Sequence, residues 1–314
     1  MGDNRASEGK ATGAPVAATE AAPAKINLAL HLTGRRADGY HTIETLAVFT
    51  AHGDTLGAEP AEGDTTTLAV SGPFADALSG TPAAGNLALR AVAALAASAG
   101  HRRRGVRLDL TKNIPVAAGL GGGSADAAAA LRLMNRLWGA GFDAAQLAAL
   151  ALPLGADVPM CLVSRPLVAS GIGEAIAPVG GLPALPVVLV HPGVAVSTAA
   201  VFAARSGAFG SPLPPLPPRF ADAAAVALWL QATRNDLAAP ASRIAPAAAD
   251  AAAALSGDRN CLLARMSGSG AAAFGIFPTP AEAERGAARI RNERPGWWAI
   301  ATVTGGAERA SLWP

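Results

Sequence analysis

The run from Pro115 to Asp126 constrains this chain more than any other stretch. Gly119, Gly121, Gly122 and Gly123 put four glycines in five positions, and Ser124 ends the run. Alanine-rich helical sequence follows at once, from Ala125 to Asn135. Glycine lets backbone N–H groups converge on an anion with no side chain in the way. The start of a helix adds unpaired N–H donors and the positive end of its dipole. Ser124 reads as the N-cap, with Asp126 in the first turn. The arrangement suits a polyphosphate, because a plain strand-to-helix turn needs fewer glycines.

Two other phosphate loops compare poorly. A Walker A loop ends in Gly-Lys-Ser/Thr, and no lysine precedes Ser124. A Rossmann fingerprint needs a strand feeding the loop and an acidic residue about 20 positions on. Pro115 interrupts that approach, and Leu137, Trp138 and Gly139 are not acidic.

Three further segments carry chemistry. Lys25 to Leu32 alternates as a strand, with Ile26, Leu28, Leu30 and Leu32 on one face and Lys25, Asn27, Ala29 and His31 on the other. Lys25 and Asn27 either line a site together or sit solvated on a half-exposed strand. Gly34 to Tyr40 reads as a hairpin turn. Tyr40, the only tyrosine of the chain, is followed by His41, and an aromatic ring beside an imidazole suits a flat polar ring. Asp157 sits among small and apolar residues at the start of a strand-like apolar stretch. Such a carboxylate finds partners, shifts its pKa, or caps a turn before Pro159. Ser267, Gly268, Ser269 and Gly270 form a loop before a strand, as a second phosphate-contacting loop or as a plain tight hairpin.

The whole chain sets outer bounds. Its 314 residues make one or two domains. A net charge of +2 gives no electrostatic case for nucleic acid or an acidic membrane, and Arg102, Arg103 and Arg104 read as a solvated loop. Cys161 and Cys261 are the only cysteines; they fit a reducing cytosol and give neither a disulfide framework nor zinc spacing. Cys161 reads as a core residue. Residues 1–21 lack an apolar signal-peptide core and read as a disordered tail. No apolar run of about 18 residues predicts a membrane helix, so a cytoplasmic location is expected. Residues 211–219 read as a polyproline-type surface connector. Strands are expected near 24–32, 43–50, 65–71, 106–111, 166–171, 173–178, 186–191, 261–266, 271–277 and 297–303. Helices are expected near 86–99, 123–138, 143–152, 197–206, 220–234, 243–255 and 279–293. The mixture lacks strict alternation of strand and helix, which argues an α+β fold.

Together the four segments resemble the GHMP kinases, the galactokinase, homoserine, mevalonate and phosphomevalonate kinases. Pro115 to Ala125 matches the family loop Pro-x-x-x-Gly-Leu-Gly-Ser-Ser-Ala, with Gly122, Gly123 and Ser124 at its polar end. The segments Ala24 to Leu28, Arg36 to His41 and Leu154 to Pro159 match the branch that phosphorylates a diphosphocytidyl sugar alcohol. The resemblance covers about residues 21–310. It implies a two-domain fold, with a domain like the second domain of ribosomal protein S5 over 22–168, a ferredoxin-like domain over 169–314, and the active site in the cleft between them.

The resemblance also implies ATP as phosphoryl donor, Mg²⁺, and the 2-hydroxyl of 4-diphosphocytidyl-2-C-methyl-D-erythritol as acceptor. Asp157 would be the general base and Lys25 would hold it ionised and stabilise developing charge. Pro115, Val116, Ala117, Ala118, Gly119, Leu120, Gly121, Gly122, Gly123, Ser124 and Ala125 would bind ATP, with Lys112 near both nucleotide sites and Ser124 on Mg²⁺. Asn27 would position the acceptor. Tyr40 and Phe202 would cover the two faces of cytosine and His41 would read its edge, while Thr198, Ser267, Gly268, Ser269 and Gly270 would border the acceptor. Phe202 also suits a helical core position. A sister kinase, a Rossmann oxidoreductase and a non-catalytic sensor are the rival readings. Tyr40 and His41 disfavour the first, the missing acidic residue the second, and retention of Lys25 and Asp157 the third. A monomer or weak homodimer is expected.

Overall fold

A long hairpin organises the first half of the molecule: β1 (Ala18–Arg35) pairs antiparallel with β2 (His41–Pro60). The structure, a computed structural model, describes residues 18–100 and 105–305. The register shifts at Pro23/Lys25, Asn27/Ala29 and Leu32/Gly34, and such bulges re-aim side chains. Next come β3 (Thr66–Ser71), α1 (Leu87–Ala99), β4 (Val106–Thr111), α2 (Gly122–Leu137), α3 (Ala144–Ala151), α4 (Val158–Val163), β5 (Leu167–Gly171) and β6 (Ala175–Pro178). The first sheet runs β3-β4-β2-β5-β6, with β1 on the other edge of β2.

Both faces of this sheet are covered. Ala47, Phe49 and Leu56 of β2 pack under α1, α2, α3 and α4. Five alanines of α2, Ala125 and Ala127 to Ala130, are buried; their small side chains let this helix lie close to β1 and α1. The opposite face, with Ala24, Ile26 and Leu28 of β1 and Leu46 and Val48 of β2, meets the second half of the chain.

That half contains β7 (Pro186–His191), α5 (Thr198–Ala203), α6 (Ala223–Leu230), α7 (Ala238–Ile244), α8 (Ala247–Ser256), β8 (Leu263–Met266), β9 (Ala273–Ile276), α9 (Pro280–Glu293) and β10 (Trp298–Val303). Its antiparallel sheet has the order β10-β7-β9-β8, the arrangement of a ferredoxin-like unit. Alternation along β7 explains the layering. Val188 and Val190 face α8 and α9, while Val187 and Leu189 join Ile26, Leu28 and Phe274 in one cluster. The two halves therefore share a continuous hydrophobic core.

Several sequence expectations change. Ala18 to Ala21 are strand, paired with Ala58 to Thr55, and Glu20 bonds Arg132 and Arg136. Residues 18–21 are therefore not part of a tail, and residues 1–17 lie outside the described residues. The boundary at 168/169 falls inside β5, and the chain leaves the first sheet only after Pro178. The helix near 243–255 is two helices, because Pro246 forces Ala245 into an extended conformation and closes α7. The strand-like stretch after Asp157 is the short helix α4. Residues 211–219 form no helix or strand, but Leu213 and Leu216 pack on the shared core. Arg102 to Arg104 lie outside the described residues.

Candidate active site

Lys25 and Asn27 stand on the face of β1 turned toward α2 and α4, and they are buried, not solvated. The Lys25 ammonium donates to Asn27 Oδ1 at 2.8 Å and pairs with Asp157 Oδ2 at 3.0 Å. Asp157 occupies the N-cap position of α4 but caps no N–H with its side chain. Its side chain is 42% exposed against 3% for Lys25, so the fixed partner is the lysine and the accessible one is the carboxylate.

The glycine loop lies beside this pair. Lys25 N–H donates to Leu120 O at 2.8 Å, and Ala272 N–H donates to Ala118 O at 2.9 Å. Gly121, with φ of 68°, is the N-cap of α2. Ser124 is therefore not the cap but sits inside the first turn, and Asp126 lies deeper, buried. A Cβ on Gly121 would come within 3.1 Å of the Lys25 side chain, which explains why only glycine brings the loop this close to the lysine.

One cavity of about 980 Å³ joins these parts. Lys25, Asn27, Asp157, Ala117, Ala118, Gly119, Gly121, Gly122, Gly123 and Ser124 line it on one side. Tyr40, His41, Thr198, Phe202, Gly268 and Ser269 line it on the other. His41 and Phe202 have ring centroids 5.4 Å apart, and Thr198 bonds Ser269 at 2.8 Å between hydroxyls. Burial, then the Arg35 and Arg205 charges, lower the His41 pKa. At neutral pH the ring is uncharged, with one nitrogen to donate and one to accept.

Other expected site residues lie behind the wall. Pro115, Val116, Leu120, Ala125 and Gly270 are not among its lining residues. Ser267 is fully buried; its hydroxyl donates to Gly119 O at 3.0 Å and accepts from Asn27 N–H at 3.2 Å. It ties β1 to the glycine loop from behind and does not line the cavity. Lys112 also lies off the wall, bonded to Asp54 at 2.5 Å and to Asp126 at 2.8 Å. Burial opposes its charge, but the two carboxylates together outweigh burial and raise its pKa. Asp126 is pushed by burial up to about 7, and its Oδ1 has no hydrogen-bond partner. Cys161 is a buried thiol pushed by burial up to about 12, an inert core residue.

Sequence reasoning missed Phe209, whose ring meets His41 edge-on at 6.0 Å under the Arg205 guanidinium. It also missed Thr45, a buried hydroxyl bonded to Asn27. Neither stands in a pattern that marks it.

Known proteins share the sequence family and the fold of this chain. The family model for the GHMP kinases N terminal domain matches residues 86–165, and that for GHMP kinases C terminal matches 219–295. The 4-diphosphocytidyl-2-C-methyl-D-erythritol kinase of Chelativorans sp. (strain BNC1) is 49% identical, over 93% of this chain and 96% of its own. The protein of that name from Rhizobium leguminosarum bv. trifolii is 50% identical, over 92% and 96%. A crystal structure of 4-(cytidine 5'-diphospho)-2C-methyl-D-erythritol kinase superposes with a TM-score of 0.73 at 35% identity, covering 92% of this chain and all of that one. A homoserine kinase from Cytophaga hutchinsonii, at 18% identity and a TM-score of 0.66, shares the fold.

Proposed function

This chain belongs to the GHMP kinase family, and from that premise we propose that it transfers the γ-phosphoryl group of ATP to the 2-hydroxyl of 4-diphosphocytidyl-2-C-methyl-D-erythritol. The observation that carries the reading is the Lys25–Asp157 pair, set in one cavity between the glycine loop and the Tyr40, His41 and Phe202 rings.

Phosphoryl transfer needs clamped phosphates, neutralised charge and an aimed nucleophile. Loop N–H groups and the start of α2 supply the clamp. Asp157, exposed to the cavity, takes the proton of the acceptor hydroxyl as general base. Lys25, paired with Asp157 at 3.0 Å, stabilises charge on the moving group. The oxygen of Asn27 holds the ammonium in place. At the far end, the Tyr40 and Phe202 rings offer faces for a base, and neutral His41 offers a donor and an acceptor to its edge.

Mg²⁺ fits the oxygen donors on the cavity wall. Among the described residues no three His, Cys, Asp or Glu side chains are grouped as a metal cage. In kinases this ion is held by one or two protein oxygens together with the phosphates. The Ser124 hydroxyl would hold it here. When bound, it would neutralise charge on the transferring phosphate chain.

The test is ADP release with the diphosphocytidyl acceptor, homoserine and mevalonate side by side. Turnover with the first and background with the others supports the reading. Turnover with homoserine or mevalonate alone removes it.

A further inference from the structure

The hydrogen-bond inventory behind Lys25 leads to a residue that does not touch the cavity. An ammonium can only donate, so the Asn27 atom at 2.8 Å from Lys25 Nζ must be the amide oxygen. The amide nitrogen then faces Thr45 Oγ1, also at 2.8 Å. Thr45 is fully buried. Its hydroxyl has one proton, and that proton goes to Ala29 O at 2.7 Å. Toward Asn27 it can therefore only accept. A turned Asn27 amide would set N–H₂ against the ammonium and oxygen against oxygen, two repulsions in place of two bonds. The β1–β2 register shift between Asn27 and Ala29 lies at this point.

We propose that Thr45 is a positioning residue for phosphoryl transfer, whose hydroxyl locks the Asn27 amide so that its oxygen holds the Lys25 ammonium beside Asp157. This rests on the kinase reading above. Thr45 acts only through Asn27.

The experiment is a double-mutant cycle on the full chain with saturating ATP and acceptor. Thr45→Val removes the hydroxyl and keeps the volume, and Thr45→Ser restores the hydroxyl. The Val variant should lose about tenfold in kcat, the effect of about one lost buried hydrogen bond, with the KM for ATP within about twofold. The Ser variant should recover to within about twofold of wild type. In an Asn27→Ala background, measured by single turnover, Thr45→Val should change the rate no further. An unchanged kcat in the Val variant, no rescue by Ser, or an equal further loss in the Asn27→Ala background would overturn the proposal. If the Val variant does not fold, Thr45→Cys takes its place, because a thiol is a weak acceptor, and the same outcomes decide. Wild-type turnover in the same assay separates the two readings. If it is absent, the kinase reading fails, and slow exchange of the Asn27 side-chain amide protons in wild type but not in the Val variant still reports the lock.

Discussion

Lys25 and Asp157 form an ion pair between a buried and a half-exposed group. A pair open to water on one side adds little to stability, about 0–1 kcal/mol. Its value must lie in chemistry. Asp157→Asn should therefore leave the thermal midpoint nearly unchanged and lower kcat about 10²–10⁴-fold. Retention of more than about a third of wild-type turnover would remove Asp157 from the role of base. Although their pairing shows only in the fold, Lys25 and Asn27 were legible as neighbours on one strand face and Asp157 as a carboxylate among apolar residues. Thr45 was not, since a threonine on an alternating strand leaves no mark. Ser267 and Lys112 were legible in type but not in placement. Their partners, Gly119 O for the hydroxyl and Asp54 with Asp126 for the ammonium, come together only in the fold.

Among the elements, the glycine loop gives an ordered prediction. A Cβ on Gly119 would sit 2.5 Å from Ser267 O and 2.8 Å from Gly270 N, in a backbone with φ of 78°. On Gly121 it would press on Lys25 at 3.1 Å with φ of 68°, and on Gly123 it would meet only Leu87 at an ordinary 3.5 Å. Left-handed backbone costs a non-glycine residue about 1–2 kcal/mol. Urea denaturation should rank the losses Gly119→Ala, then Gly121→Ala, then Gly123→Ala, and an equal loss at all three would contradict the docking described. The sequence showed the glycines but placed the helix start at Ser124. It begins earlier because left-handed Gly121 turns the chain straight into α2.

The Asp54–Lys112–Asp126 cluster joins β2, the end of β4 and α2, and it predicts a pH dependence. Burial raises the folded pKa of Asp126 to about 7, above an unfolded value of about 3.9. The folded state then holds the extra proton, so this contribution is full below about pH 4 and is lost as pH rises through about 7. The loss is at most about 1.4 kcal/mol per pH unit. Buried His31 and His191, whose pKa values burial lowers, act in the opposite sense, so the comparison is with Asp126→Asn. That variant should lose less stability than wild type between pH 5 and pH 8 in urea titrations. Identical profiles would contradict a proton on Asp126.

At the scale of the molecule, the β order of both sheets and the continuity of their shared core decide what the site can be. Periodicity made most strands and helices legible, and the loop motifs placed the phosphate end. The sharing of one core did not show, because Ile26 and Leu28 read equally well as a face packed within a single domain. Through that core, residues from both halves keep fixed positions around one cavity: Asp157 and Tyr40 from the first, Phe202 and Ser269 from the second. Under the proposed function, this cavity holds a cytidyl alcohol with its hydroxyl at Asp157. Cytosine presents an amino donor where uracil presents a carbonyl acceptor, so a half-buried His41 ring held in one orientation pairs with one edge and not with the other. The most direct measurement is kcat/KM of the wild-type protein for the diphosphocytidyl acceptor against its uridyl analogue. The proposed function predicts a preference of about 10²-fold or more for the cytidyl compound. Equal values for the two acceptors would contradict it.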